Sequence, residues 1–271
     1  VQVILRHHGI TAGSLIVDDT DNPRSKSAKA LAYLYKLRDK ESGGYLWGQS
    51  LVFLVLVTPK ISMPVGGVFY QPAPEISAWY KTDKVLKKQG VPAKQRPRKP
   101  APNPHYPTKE QLALRLLASF KAHQPDGRIH AVMADALYGT ATFVDGASAL
   151  FRGVQVISQI RSNQNIRVGQ RHQHVAAYFA THPGTPYSIR IRGGVEVVAM
   201  VGSARLYVCA HKTKRFIVAI KYAEEETYRY LIASDLSWRT LDIVQGHTLR
   251  WLVEVFIQDW KSYEGWSQLT K

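Results

Sequence analysis

Three carboxylates in this sequence occupy positions that suggest chemistry. Asp18 follows the apolar run at residues 14–17, and Asp135 follows a second apolar run at residues 129–134. An acid at the carboxyl end of a strand opens into the crevice where α/β sheets bind ligands. Glu254 lies inside an apolar helical segment, where a carboxylate is costly unless it is paired or binds a metal. Converging carboxylates repel each other, and their natural partner is a pair of hard divalent cations, Mg²⁺ or Mn²⁺.

A stripe of polar side chains surrounds Glu254. The segment at residues 248–263 predicts a helix, and four residues in and just before it occur at offsets of 0, 3, 7 and 14: His247, Arg250, Glu254 and Lys261. At ~100° per residue these positions fall within roughly 60° of one another. A simple Arg250–Glu254 ion pair would stabilise the helix by only a few tenths of a kcal/mol. That pair explains neither the aligned Lys261 nor the two acids that follow strands elsewhere.

The spacing of this stripe resembles a motif of a known family. Three residues separate Arg250 from Glu254, and six separate Glu254 from Lys261. The same spacing occurs in DDE transposases of the insertion-sequence-4 type. That family has a tyrosine at the position of His247, so a ring with a pH-dependent charge replaces a hydroxyl here.

The resemblance extends over nearly all of the chain, from about residue 14 to residue 271. Residues 18–20 resemble the family's first acidic motif, and residues 135–139 resemble its second. The resemblance implies an α/β fold with an RNase H-like mixed sheet flanked by helices and a β-rich insertion before the last catalytic helix. It also implies hydrolysis at transposon ends followed by strand transfer into target DNA.

The same resemblance implies a role for each site residue. The carboxylates are expected to be catalytic and to bind two Mg²⁺ or Mn²⁺ ions: Asp18, Asp135 and Glu254. The basic side chains are expected to bind DNA: His247, Arg250 and Lys261. We favour Asp18 over Asp19 as the first ligand, because Asp18 fits the acid-any-threonine pattern and continues the strand; Asp19 stays the alternative.

A mixed sheet is needed to position these residues. Apolar and β-branched runs predict early strands at residues 14–18, 49–58, 65–71, 129–135 and 154–160. Helices are predicted at residues 108–122, with Thr108 as the cap, at residues 139–150, and around residues 28–37. The order helix, strand, helix, strand after residue 108 indicates a sheet covered by helices.

The chain is expected to divide into three parts. Residues 1–164 form the first part of the core, residues 165–235 form a β-rich insertion, and residues 236–271 form the helical part that carries Glu254. The stretch at residues 146–195 contains six arginines and no acid, so a basic face is expected on the insertion. The last helix is apolar nearly all round, which predicts that it is buried.

Residues 81–107 form what we call the basic arm. Residues 81–99 contain eight Lys or Arg and one acid, and six prolines lie between Pro92 and Pro107. This composition predicts an extended, exposed segment. Both a solvated linker and a contact with DNA phosphates fit the pattern.

Composition narrows the partner and the compartment. Among 271 residues, 36 are Lys or Arg and 20 are Asp or Glu, giving a net charge of +16. That charge favours double-stranded DNA as the partner, ahead of an anionic membrane surface. The single cysteine, Cys209, excludes an internal disulfide and a Cys-rich zinc module and indicates a reducing compartment, so we expect a cytoplasmic, nucleoid-associated protein of bacterial type. No apolar run reaches 18 residues, as a membrane-spanning helix would require.

Two rival interpretations use the same residues. A metal-dependent nuclease without strand transfer would need the same acids, and an inactive DNA-binding transposase relic would keep only the basic surface. The presence of all three acids argues against the relic. The chain starts without Met, so we expect a fragment of a longer protein, and bringing two DNA ends together would require at least a homodimer.

Overall fold

Strand β1 (Ala12–Pro23) lies at the centre of the computed structural model, which describes residues 1–25, 31–38, 42–191 and 194–263. It pairs antiparallel with β3 (Tyr45–Val57) on one side and parallel with β5 (Arg128–Ala134) on the other. Beyond these neighbours, β4 (Ser62–Tyr70) pairs antiparallel with β3, and β6 (Gln155–Ile160) pairs parallel with β5. The order β4-β3-β1-β5-β6 is the mixed sheet expected of an RNase H-like fold.

The sheet continues past β6 into the region predicted as an insertion. The next strands are antiparallel: β12 (Arg229–Ala233), β11 (Thr213–Tyr222) and β10 (Glu196–Val208). Short strands complete the 12-stranded sheet: β2 (Tyr35–Arg38), β7 (Asn165–Val168), β8 (Arg171–His174) and β9 (Thr185–Arg190). Residues 165–235 are therefore rich in strands that join the core sheet, and their division from the core stays a prediction.

Helices cover both faces of the sheet. One face packs against α3 (Lys109–His123) and α4 (Ala141–Leu150), and the other packs against α6 (Thr240–Thr248) and α7 (Trp251–Tyr263). Along β1, Leu15 and Val17 enter the first core, whereas Ile16 enters the second. A continuous apolar run is thus buried on both faces, as strands of a covered sheet require. The remaining helices are α1 (Gln2–His7), α2 (Pro74–Lys88) and α5 (Val175–Thr181).

The predicted starts of α3 and α4 are confirmed by their caps. The Thr108 hydroxyl accepts a hydrogen bond from the Gln111 amide at 3.2 Å, and the Gln111 side chain accepts one from the Thr108 amide at 2.9 Å. This reciprocal capping box satisfies two amides that the first helical turn leaves without partners. Thr140 caps α4 in a similar way, by accepting from the Phe143 amide at 3.2 Å.

Two predicted elements near the sheet edge are wrong in part. The helix expected around residues 28–37 is contradicted at its end, because Tyr35–Arg38 forms β2; residues 26–30 lie outside the described residues. The basic arm is not extended throughout, because α2 runs to Lys88. Lysine is a good helix former, and the clustered prolines that break helices begin only at Pro92.

The predicted last helix is two helices. α6 ends at Thr248 and α7 begins at Trp251, with the Leu249 amide bonded to the Gly246 carbonyl at 3.0 Å across the turn. The expectation of a helix buried all round is also wrong, because Val253 is the only fully buried residue of α7. α7 covers one side of the sheet and exposes its other side. No helix in the part of the chain that the structure describes is long and apolar enough to cross a membrane.

A glycine allows the segment after Asp135 to lie against β6. Gly139 follows a short 3-10 turn (Ala136–Tyr138), and a Cβ added at Gly139 would lie 2.3 Å from the carbonyl oxygen of Gln159. We expect Gly139→Ala to lower the free energy of unfolding by about 1–3 kcal/mol, because the backbone of β6 must move. Urea unfolding of the purified variant measures this loss.

Gly127→Ala is the matched control for that variant. A Cβ at Gly127 would meet its nearest heavy atom at 3.4 Å, an ordinary van der Waals distance. An equal loss of stability in the two variants would contradict the close approach to β6 as the cause.

Candidate active site

Asp18 and Asp135 lie side by side because of the register between β1 and β5. Val17 pairs with Ala134, the last residue of β5, and the next residues along the two strands are the two acids. β1 does not end at Asp18 as the sequence predicted, because pairing with β3 continues to Pro23. The end of β5 nevertheless leaves one edge of β1 without a strand neighbour, and a cleft opens there.

That cleft collects most of the predicted site residues. It is lined by side chains from β1, from the end of β5 and from α7: Asp18, Asp19, Thr20, Asp135, Arg250, Glu254, Ile257, Gln258, Lys261 and Ser262. Five of the six residues predicted from the sequence therefore meet in one place. His247 is the exception, and it lines a neighbouring depression that shares Arg250 and Glu254 with the cleft.

Asp18 is the most buried acid of the cleft, with its side chain 10% exposed. Its Oδ1 accepts from the Asp19 amide at 2.9 Å, and its Oδ2 accepts from Arg250 Nη1 at 2.8 Å. Burial raises the pKa of Asp18 to about 6, and the negative charge of Asp135 adds to this shift while Arg250 opposes it. Asp18 is thus a carboxylate whose charged form would gain from a further cation.

Asp135 has an anchored backbone and an open side chain. Its carbonyl oxygen accepts from the Ser158 hydroxyl of β6 at 2.7 Å. Its carboxylate forms no hydrogen bond or ion pair with any residue that the structure describes. A half-buried carboxylate without a protein partner is available to a ligand that enters the cleft.

α7 brings Glu254 to this point through aromatic packing on β3. Phe53 is the antiparallel partner of Asp18, and its ring lies 5.6 Å from that of Phe256 and 5.0 Å from that of Trp260, between ring centroids. Glu254 projects from the same helix, with its side chain 56% exposed. The helix that carries the third acid is therefore fixed beside the strand that carries the first.

The Arg250 guanidinium joins two of the three acids. Nη1 contacts Asp18, and Nη2 forms a short hydrogen bond with Glu254 Oε1. The Arg250 side chain is only 16% exposed, so both ion pairs are partly shielded from water. A protein cation thus stands between carboxylates that would otherwise repel each other.

Asp19 and Asp18 point to opposite faces of the sheet, as successive strand residues must. Asp19 Oδ2 lies 2.5 Å from Lys109 Nζ at the start of α3, and its Oδ1 accepts from the Tyr138 hydroxyl at 3.4 Å. Asp19 thus has a cation of its own on the α3 side, whereas Asp18 faces Arg250. Both acids line the cleft, and the choice of Asp18 over Asp19 as the first metal ligand stays a prediction.

Lys261 and His247 have different surroundings. Lys261 Nζ donates to the Asp21 carbonyl at 2.8 Å, and burial lowers the pKa of Lys261. The His247 ring lies 3.2 Å from the Gln159 amide nitrogen, and burial lowers the pKa of His247 to about 3, helped by repulsion from Arg250. His247 is therefore neutral at pH 7. The break before α7 removes it from the stripe that the sequence predicted.

The cleft contains oxygen ligands of the kind that Mg²⁺ and Mn²⁺ prefer. Within residues 1–25, 31–38, 42–191 and 194–263, no group of three or more His, Cys, Asp or Glu side chains is placed so that it could hold a metal ion. In this arrangement Arg250 contacts oxygens of both Asp18 and Glu254. The donor chemistry suits a divalent cation, but these carboxylates would have to rearrange around Arg250 to hold one.

Sequence reasoning missed the residues that support the site. Lys109 and Tyr138 hold Asp19, and Gln159 holds His247. Lys109 is 90 residues from Asp19 in the chain, so local pattern gives no signal for their contact. Thr20, which the sequence analysis used only as part of the acid-any-threonine pattern, also lines the cleft.

Comparison with known proteins identifies the family. Residues 1–199 match the family described as DDE superfamily endonuclease. Because the match covers most of the chain, this protein belongs to that family, whose members generally depend on divalent metal ions. The matched part contains Asp18 and Asp135 and ends before Glu254. No protein of curated function matches the chain.

Among solved structures, the NurA nuclease from Sulfolobus solfataricus is similar over 87% of this chain and 72% of its own length. The TM-score is 0.28 and the sequence identity is 7%. Values this low give no basis for transferring fold or activity, and the assignment to the family depends on the sequence match alone.

The bridging position of Arg250 predicts competition with metal. We expect Arg250→Gln to bind Mn²⁺ on the order of 10-fold more tightly than the natural chain in the absence of DNA, because the variant frees oxygens of Asp18 and Glu254. Electron paramagnetic resonance of free Mn²⁺ measures the affinity. Arg239→Gln is the control, since Arg239 is exposed and forms its ion pair with Asp242, outside the cleft. Unchanged or weaker binding by Arg250→Gln would contradict the competition.

The raised pKa of Asp18 predicts a pH-dependent stability. The folded state holds the Asp18 proton more tightly than the unfolded state, so the unfavourable contribution of Asp18 grows as pH rises from about 4 to about 6. We expect Asp18→Asn to gain about 2–3 kcal/mol in unfolding free energy over the natural chain between pH 4 and pH 7 without metal. Urea unfolding in EDTA at both pH values measures the change.

Asp242→Asn tests the sign of that effect. The Arg239 side chain lowers the pKa of Asp242, so this variant should lose stability relative to the natural chain as pH rises. A gain of the same sign in both variants would show that burial of Asp18 is not the cause.

Proposed function

We propose that this chain is the catalytic domain of a DNA transposase of the insertion-sequence-4 type. The observation that carries the proposal is the meeting of Asp18, Asp135 and Glu254 in one cleft with Arg250 and Lys261. Three oxygen ligands beside two phosphate-binding cations suit a phosphodiester substrate. The Arg250–Glu254–Lys261 spacing supports the insertion-sequence-4 type in particular.

Asp18, Asp135 and Glu254 would hold two Mg²⁺ or Mn²⁺ ions. When bound, such ions activate the attacking oxygen and stabilise the leaving oxygen of an in-line displacement. The parallel strands fix Asp18 and Asp135, while Glu254 approaches from α7 and completes the set. The higher exposure of Glu254 allows it to adjust when the cations enter.

Arg250 would exchange partners when DNA binds. In the chain without DNA its guanidinium is neutralised by two carboxylates. A DNA phosphate carries one negative charge, as a carboxylate does, and offers the guanidinium a bidentate partner. Its binding would free the carboxylate oxygens for cations. Lys261 would contact the neighbouring phosphate as a point charge. His247 would donate only a hydrogen bond to DNA, because its ring is neutral.

The reaction would proceed in two displacements at the same site. A water molecule loses a proton and its oxygen attacks phosphorus at the transposon end; the bond from phosphorus to the 3′ oxygen breaks, and that oxygen takes up a proton and leaves as a 3′-hydroxyl. The freed 3′-hydroxyl then loses its proton and its oxygen attacks a target phosphorus, whose own 3′ oxygen leaves and takes up a proton. Arg250 and Lys261 would position the phosphate in both steps.

The substrate would be double-stranded DNA, at transposon ends and in the target. A single protein complex that holds two transposon ends together would be at least a homodimer on DNA. We place this activity in the bacterial cytoplasm, on nucleoid DNA, because the basic charge and the single cysteine suit that setting.

Supercoiled plasmid with Mn²⁺ tests the cleavage step. We expect Asp18→Asn, Asp135→Asn and Glu254→Gln each to lower the nicking rate by on the order of 10³-fold or more, because each removes a metal ligand. Glu226→Gln is the control, since Glu226 is an exposed acid outside the cleft. Asp19→Asn should retain far more activity than Asp18→Asn; the reverse order would make Asp19 the ligand.

Strand transfer is tested separately. Duplexes with randomised terminal sequences and free 3′-hydroxyls are incubated with plasmid and Mn²⁺, and joined products are sequenced. Joining of a common end sequence, lost in Glu254→Gln, is the expected result. Nicking without any joining would leave a nuclease, and loss of neither activity in the acid variants would leave a DNA-binding relic.

A further inference from the structure

Helix α2 is fixed in place although it has no buried residue. The extended segment after it, residues 96–103, runs back along the helix as a strap. Trp79 Nε1 donates to the Pro97 carbonyl at 2.8 Å, Arg96 Nη1 donates to Asp83 Oδ1 at 2.8 Å, and Asn103 Nδ2 donates to Glu75 Oε1 at 2.7 Å. We call residues 74–107 the helix-and-strap unit. Its shape depends on these polar contacts and not on an apolar core.

The strap separates the charges of this unit. The unit contains two acids, Glu75 and Asp83, and both contact the strap. At ~100° per residue, these two acids and Trp79 lie within roughly 80° on one side of α2. Both acids of the unit therefore bind the strap on one side of α2, and neither lies on the opposite side of the helix.

The opposite side of α2 carries a lysine stripe, which we define as Lys81, Lys84 and Lys88. These residues lie within roughly 60° of one another and face away from the strap. All three are exposed, and none forms an ion pair or hydrogen bond with a residue that the structure describes. Three like charges kept together without neutralising partners indicate a surface for a polyanion.

The unit is attached at the edge of the cleft. Tyr70, at the end of β4, leads into it, and Lys109, at the start of α3, follows it. Lys109 Nζ lies 5.5 Å from the centroid of the Tyr70 ring and 2.5 Å from Asp19 Oδ2. Both ends of the unit therefore meet beside Asp19, one residue from Asp18. DNA whose phosphate entered the cleft would pass close to the unit.

We propose that the lysine stripe binds the phosphate backbone of the DNA duplex that flanks the bond cut in the cleft, without reading its sequence. Lysine ammonium groups bind phosphates as point charges and carry no base readout. The stripe spans ~10 Å along α2, and B-DNA presents one charge per ~1.7 Å of its axis. The location of this surface depends on the proposed function, whereas its affinity for duplex DNA does not.

The test is DNA binding by the full chain as a function of salt. The variant replaces Lys81, Lys84 and Lys88 with Gln together, and the probe is a 40-base-pair duplex of random sequence in EDTA. We expect affinity at 0.1 M salt to fall on the order of 10-fold, and the slope of log affinity against log salt to shrink by about 2–3. Fluorescence anisotropy measures both quantities.

A second triple variant is the matched control. It replaces Arg6, Lys60 and Lys121 with Gln, which removes the same charge near the start of β1, at the other end of that strand from the cleft. There Lys60 contacts the His8 carbonyl and Lys121 contacts the Pro125 carbonyl. The natural salt slope should persist in this control. Equal losses in both variants, or no change in the stripe variant, would overturn the proposal.

Two further measurements distinguish this proposal from membrane binding and from the proposed function. Vesicles of phosphatidylserine and phosphatidylcholine replace DNA in one; stripe-dependent binding to vesicles but not to DNA would overturn the proposal in favour of a membrane surface. Plasmid nicking at low salt is the other. Stripe-dependent DNA binding without nicking by the natural chain would keep the lysine stripe and reject the proposed function. Circular dichroism confirms that the exposed substitutions leave the fold intact.

Discussion

The parallel pairing of β1 with β5 is the constraint on which the site depends. It sets Asp18 beside Asp135, two like charges that repel each other in a partly buried cleft. The register cannot relax to separate them, because Leu15 and Ile16 of β1 enter the two cores on opposite faces of the sheet. The packing of the sheet thus offsets an electrostatic cost that the acids alone would avoid by moving apart.

Two cations, one on each side of the sheet, reduce the electrostatic repulsion among the acids of the cleft. Lys109 neutralises Asp19 on the α3 side, and Arg250 contacts Asp18 on the α7 side. Breaking a partly buried pair would leave an unsatisfied charge, so under the proposed function Arg250 would be released only when another anion and another cation arrive together. The binding of DNA phosphate and the binding of metal would then be coupled, and by linkage each would favour the other.

Acidic and basic residues are distributed unevenly over the rest of the chain as well. Its net charge of +16 does not come from a uniformly basic surface. Acids line the cleft and contact the strap, whereas the lysine stripe lies on the outer side of α2. An acidic cleft beside the lysine stripe suits a polyanion that is bound along its backbone and cut at one bond with the help of cations.

The sequence by itself determined the features that depend on near neighbours. Apolar runs before Asp18 and Asp135 predicted β1 and β5, although β1 continues past Asp18 to Pro23. Thr108 predicted a helix start, and the spacing after Arg250 predicted the cleft-lining face of α7. Contacts between distant segments were decided only by the tertiary structure. These include the pairing of Lys109 with Asp19, which neutralises Asp19 on the α3 side, and the strap that holds α2 in place although none of its residues is buried. Local periodicity reports which side of an element is apolar, but the partner of that side is set by packing between elements far apart in the chain.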